Sequence, residues 1–180
     1  MTSRINPVDP AVAEGRTQEL FAAVKAKTGG VPNMMKTMAH APALLEGYLA
    51  FSGALSKGLL RPAVREQLAL AVSQANGCEY CLSAHSLLGK RAGLAPEQIA
   101  AARKGEADDA QAQAALSLAH ELIERRGDVS DEQLEAARLA GLSDGEIAEV
   151  VGHVALSTLT NYFNELARPE LDFPRAPVSV

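Results

Sequence analysis

Along most of the chain apolar residues recur three and four positions apart, the spacing that gathers them on one face of a helix. Val12, Leu20, Phe21 and Val24 stand among polar residues and predict a first amphipathic helix over about residues 10–27. Gly29-Gly30 stops it, and Val31-Pro32-Asn33 opens a short second helix. Pro42 begins a third that runs to about Ser56, Gly58 breaks it, and Pro62 suits the first turn of the next. Over residues 62–76, Leu68, Ala71, Val72 and Ala75 fall at i, i+3, i+4 and i+7 and predict one buried stripe. Gly77 fits a left-handed C-terminal cap, and residues 78–91 read as the following helix. Residues 62–91 therefore predict a helical hairpin with a tight turn, closed at its far end by Gly93.

A local echo follows. Ala92-Gly93-Leu94 leading to Gln98-Ile99-Ala100 recurs as Ala140-Gly141-Leu142 leading to Glu146-Ile147-Ala148. Ser143 with Glu146, and Ser130 with Gln133, have capping-box spacing and mark two helix starts. Two copies are too few for a solenoid, which needs about three. They read as an internal duplication of two facing helical hairpins, or as the same turn chemistry used twice. A last long helix is predicted over about residues 144–167. Pro169, Pro174 and Pro177 bar regular helix after it. The expected organisation is one all-α domain over residues 1–168, its core motif at 61–94, with a Pro-rich tail at 169–180. That tail is expected either to be disordered or to embrace a neighbouring subunit.

Composition narrows the function. Apolar residues make up 47% of the 180 positions, enough for a buried core, and Ala and Leu favour helices. Trp is absent and aromatic residues are few, so base or sugar stacking is a poor reading. The net charge of −5 comes with both signs interspersed, and no basic block points to nucleic acid or an anionic membrane. Residues 1–10 are polar, and no apolar run approaches the ~20 residues of a membrane span. The expected location is the cytoplasm.

The chemistry concentrates in Cys78-Glu79-Tyr80-Cys81 followed by His85. On a helix beginning at Cys78, Cys81 lies one turn on and His85 one turn beyond that, all on one face. Free N–H groups and the helix dipole at that end favour an anion, which lowers a thiol pKa. A histidine one turn away can take the thiol proton or hold a positive charge beside the sulfur. A disulfide across so short a loop removes little unfolded-state entropy, so redox chemistry or metal binding reads better than stapling. Zinc would find three ligands here and wants a fourth. His40, His120 and His153 are each isolated, and His153, in an apolar helix, reads as a satisfied core histidine. Glu66, on the first arm of the hairpin, sits only slightly farther along than His85, and its carboxylate, directly or through a water, could reach the imidazole and orient it. From spacing alone it reads as a solvated surface residue beside Arg65.

Glu66, eleven intervening residues, then Cys78-x-x-Cys81-x-x-x-His85 resembles the active-site motif of the alkyl hydroperoxidase D (AhpD-like) proteins, within the carboxymuconolactone decarboxylase family. Residues 65–85, REQLALAVSQANGCEYCLSAH, look like that family's core nearly end to end. Gly30-Val31-Pro32-Asn33 and Asn161-Tyr162-Phe163-Asn164 look like its peroxidase-related branch. The resemblance implies an all-α bundle of antiparallel helical hairpins that self-associates as a dimer, trimer or hexamer. It implies thiol-dependent reduction of hydroperoxides by a cysteine pair cycling between dithiol and disulfide, with Glu66, Cys78, Cys81 and His85 as the catalytic set. No cofactor and no metal are expected, and the resemblance implies a lipoyl group or thioredoxin-like protein as the dithiol donor. One departure stands out: where the best-studied branch has a second histidine between the cysteines, this chain has Tyr80. On the combined reading Cys81 attacks and Cys78 resolves, with the reverse open because Cys78 is nearer the helix terminus. A protein disulfide reductase and a non-enzymatic redox sensor are the alternatives.

Overall fold

A computed structural model describes residues 3–176; the last part of the tail, residues 177–180 with Pro177, and residues 1–2 lie outside the described residues. Among the described residues all regular structure is helical. In chain order it comprises α1 (Gly15–Thr28), α2 (Asn33–Met38), α3 (Pro42–Leu55), α4 (Pro62–Ala75), α5 (Glu79–Arg91), α6 (Pro96–Arg103), α7 (Ala110–Glu124), α8 (Asp131–Leu139) and α9 (Asp144–Ala167). None of these helices is long and apolar enough to cross a membrane.

Helix α4 is the axle of the molecule and packs against α5, α6, α7 and α9. That setting explains why its buried face is wider than one stripe. Val64, Gln67, Leu68, Ala69, Leu70, Val72 and Ser73 are all buried, whereas Ala75, expected in the stripe, is exposed near the helix end. Leu68 and Val72 are fully enclosed, each worth about 1.5–3 kcal/mol of apolar transfer. One core cluster joins α4 to α7 and α9 through Leu68, Leu116 and Val150. A second gathers Phe21, Met34, Met38 and Leu45 around Cys78, Tyr80 and Cys81.

The first helix starts later than its apolar pattern suggests. Asp9 turns the chain, accepting the Ala11 N–H on its side chain (2.9 Å), and Val12 is left exposed outside the helix. Leu20, Phe21 and Val24 form the buried face as expected. The echoed turns close alike: Leu94 N–H donates to Gly89 O and Leu142 N–H to Ala137 O, with Gly93 and Gly141 at positive φ. Gln98 and Glu146 then each cap back onto the N–H that opens the next helix. The likeness stops there, because α6 has 8 residues and α9 has 24.

Residues 169–176 of the tail fold back on their own domain, where Asp172 Oδ2 accepts the Asn33 N–H (2.7 Å) and Ala176 N–H donates to Ser83 Oγ (3.1 Å).

Candidate active site

The site is built at the joint between α4 and α5. After α4 the Gly77 N–H donates to Gln74 O (3.2 Å) and the Cys78 N–H to Ser73 O (2.9 Å), the two bonds of a Schellman closure. Gly77 supplies the left-handed turn with φ +69°. The residue after such a glycine normally packs inward, and Cys78 does so, with no exposed surface. It is the N-cap of α5 rather than its first helical residue, and its Sγ accepts the Cys81 N–H (3.3 Å).

Cys81 therefore sits in the first turn, its Sγ 2.7 Å from that of Cys78. The hydrogen bond donated by Cys78 holds the Cys81 thiol well below its ordinary pKa. Burial opposes this, while the positive field of His85 and the amides of Asn164 and Asn161 add to it. Cys78 is driven the other way, by its role as donor to Cys81 and then by burial. The pair is thus polarised, with Cys81 the more readily ionised sulfur, and no disulfide joins the two.

Glu66 is not the solvated residue its spacing suggests. Its Oε2 lies 2.7 Å from His85 Nδ1, and both side chains are about three-quarters covered. Burial works against a charged imidazole, but the Glu66 carboxylate and the Cys81 thiolate prevail and raise the His85 pKa. The carboxylate also fixes which ring nitrogen carries the proton, leaving the other ring edge for the thiol side.

Beside these groups opens a cleft of about 390 Å³. Cys81 and His85 line it, together with Met34, Tyr48, Asn164 and Phe173, whereas Cys78 lies behind Cys81. Tyr80 serves a different end from a proton relay. Its hydroxyl donates to Asp172 Oδ1 (2.7 Å) and accepts the Met34 N–H (3.2 Å), and its ring meets Phe173 edge-on. The position between the cysteines thus anchors the tail as one wall of the cleft.

Asn161 and Asn164, noted in the sequence only within a family-like stretch and without a role, sit one turn apart on the buried side of α9; polar residues on an apolar helix face were the signal for burial at a site. Tyr48, Asp172 and Phe173 carry no such signal. His153, expected to be a satisfied core histidine, is buried with an Nε2 that has no partner among the described residues. Burial lowers its pKa, with Arg65 contributing. His40 lies apart from the site, its Nε2 2.8 Å from Asn6 O. No cluster of three His, Cys, Asp or Glu side chains suited to a metal ion occurs among the described residues.

Comparison with known proteins fits this geometry. The family model described as the carboxymuconolactone decarboxylase family matches residues 42–124. A search of curated proteins finds no significant sequence match. Among solved structures, a peroxidase-related protein with an alkylhydroperoxidase AhpD core from Ralstonia eutropha JMP134 is similar at 26% identity. It superposes with a TM-score of 0.83 over 93% of this chain and 92% of that one. A peroxidase-related protein from Silicibacter sp. TM1040 is similar at 23% identity, TM-score 0.79, over 94% of each chain. The debrominase Bmp8, in complex with 2,3,4-tribromopyrrole, shares the fold at 19% identity, TM-score 0.78, over 96% of this chain and 93% of that one.

Proposed function

This chain belongs, through residues 42–124, to the carboxymuconolactone decarboxylase family in its AhpD-like form, and on that premise we propose that it is a thiol-dependent hydroperoxide reductase. The observation that carries this reading is the order of the sulfurs. Cys81 faces a cleft beside an imidazole oriented by Glu66, and Cys78 waits behind it within contact. In the first half-reaction the Cys81 thiolate attacks the terminal oxygen of the hydroperoxide and the O–O bond breaks. Sulfur is oxidised to a sulfenic acid, and the departing alkoxide takes a proton from the His85 imidazolium to leave as the alcohol. In the second, the Cys78 sulfur displaces the hydroxyl from Cys81, water leaves, and the disulfide closes. An external dithiol then reduces it by exchange.

Burial supports this reading over disulfide exchange with folded proteins. Cys78 has no exposed surface and Cys81 is 3% exposed, so a partner must enter the cleft to touch sulfur. A small hydroperoxide fits, and a slender lipoyl arm suits the regeneration step better than the rim of a thioredoxin-like protein. The cysteine pair speaks against lactone decarboxylation, which needs no dithiol.

The roles are tested by single turnover with dimedone as the trap for sulfenic acid. Cys78→Ser should give a dimedone adduct on Cys81 after one equivalent of cumene hydroperoxide, and Cys81→Ser should give none on Cys78. An adduct on Cys78 in the Cys81→Ser protein, formed at the wild-type rate, would reverse the assignment.

A further inference from the structure

Two asparagines one turn apart on α9 are buried at this site, and they differ in how their amides are used. Asn161 is satisfied at both ends: Nδ2 donates to Ser73 Oγ (3.1 Å) and Oδ1 accepts from Asn76 Nδ2 (2.9 Å). It ties α9 to the end of α4, a structural task. Asn164 is satisfied at one end. Its Nδ2 reaches two sulfurs, Cys81 Sγ at 3.2 Å and Met34 Sδ at 3.3 Å. Its Oδ1 is buried with no partner among the described residues, although the residue is 3% exposed and lines the cleft. An unpaired buried carbonyl is costly, and native proteins keep few of them. Here the unpaired acceptor belongs to the same amide that touches the reactive sulfur.

We infer that Asn164 binds the hydroperoxide: its Oδ1 accepts the hydrogen of the terminal O–H and sets that oxygen on the Cys81 sulfur. The inference rests on the peroxidase reading and adds a residue to it. A hydroperoxide ROOH carries its one hydrogen-bond donor on its terminal oxygen, the oxygen that sulfur must attack. An acceptor beside the thiolate therefore selects the reactive end of the substrate, while the amide N–H groups hold the thiolate in place. When the O–O bond breaks, the hydrogen stays on the oxygen now joined to sulfur. The sulfenic acid keeps its bond to Oδ1 until the Cys78 sulfur displaces the hydroxyl. An alkylating agent such as iodomethane carries no hydrogen-bond donor and gains nothing from Oδ1.

That difference gives a test which a purely structural asparagine would not pass. Second-order rates at Cys81 are measured with cumene hydroperoxide and with iodomethane at the same neutral pH, so that the thiolate fraction divides out. Their ratio cancels any change in thiol pKa and any general loosening of the site. Asn164→Leu keeps bulk and loses the acceptor, and should lower the ratio about tenfold. Asn164→Asp keeps an acceptor and loses the donor, and should leave the ratio within about twofold of wild type while raising the thiol pKa. An unchanged ratio in Asn164→Leu overturns the inference and leaves the peroxidase reading standing. Should the leucine variant fail to fold, a tenfold fall in Asn164→Asp overturns it equally. If wild type reacts with peroxide no faster than a free thiol does, both the inference and the reading fall.

Discussion

At the scale of single residues, Cys81 is set apart from Cys78 by its neighbours. It receives hydrogen bonds and lies in the field of His85, whose pKa Glu66 raises against the effect of burial. The thiol pKa is lowered and the imidazole pKa raised, so a thiolate–imidazolium pair spans the interval between them. Below that interval the sulfur is protonated and unreactive; above it the imidazole loses the proton that the proposed reaction hands to the leaving alkoxide. Iodoacetamide alkylation of Cys81 should accordingly titrate with a midpoint below the free value of about 8.5. His85→Ala should raise that midpoint and slow alkylation at neutral pH by roughly three to ten times, because a smaller fraction of the sulfur is then thiolate. Glu66→Gln should do the same more weakly, because it acts through the imidazole. The double variant should lose less than the sum of the singles, since removing His85 leaves Glu66 nothing to orient. Identical pH profiles for wild type and His85→Ala would remove the histidine from the mechanism. The line from Cys81 to His85 is legible in the sequence because helical spacing alone determines it. The bond from Glu66 to His85 depends on how two helices pair, so spacing suggests a surface residue where the hairpin makes a buried contact. The contact of Asn164 with Cys81 was hidden for the same reason, because 83 positions separate the amide from the sulfur it touches.

At the scale of elements, the α4–α5 joint depends on one backbone conformation. Gly77 has φ +69° and nothing within 4 Å of where a Cβ would stand, so Gly77→Ala meets a conformational penalty and no clash. The expected loss is about 1–2 kcal/mol of stability, measured by urea denaturation, with slower disulfide formation because Cys78 hangs directly on that turn. Wild-type stability in this variant would mean that the turn relaxes freely. The glycine caps and capping boxes were readable because each is chemistry within a few residues. The width of the α4 core face was not, because four helices around one axle erase a periodic signal. The tail was equally opaque: Pro169 and Pro174 rule out helix but say nothing of what the segment touches. Its docking turns on Tyr80, whose hydroxyl meets both Asp172 and Met34. Tyr80→Phe should cost about 1 kcal/mol and raise hydrogen–deuterium exchange across residues 170–176, leaving α4 unaffected. Unchanged exchange there would show that Phe173 and Ala176 hold the tail without the hydroxyl.

At the scale of the whole molecule, α9 has two faces. One carries Val150, His153, Ser157, Asn161 and Asn164 into the core and the site. The other leaves Val151, Leu159, Tyr162 and Leu166 exposed at helical spacing, a stripe about 22 Å long at 1.5 Å per residue. We propose that a second copy of this chain covers that stripe, burying aromatic and aliphatic groups that water disfavours. Light scattering at micromolar concentration should give a multiple of the 18.9 kDa chain mass, and Leu159→Glu with Leu166→Glu should return it to the monomer. A clean monomer mass for wild type would contradict this.

Catalytic reduction of hydroperoxides by the two buried sulfurs of one chain is read by donor-coupled consumption of cumene hydroperoxide, with dihydrolipoamide as the reductant, by wild type, Cys78→Ser and Cys81→Ser side by side. Wild type should show many turnovers per chain, Cys78→Ser little beyond a single event, and Cys81→Ser none. Undiminished turnover by the Cys81→Ser protein, or none by fully reduced wild type, would contradict it.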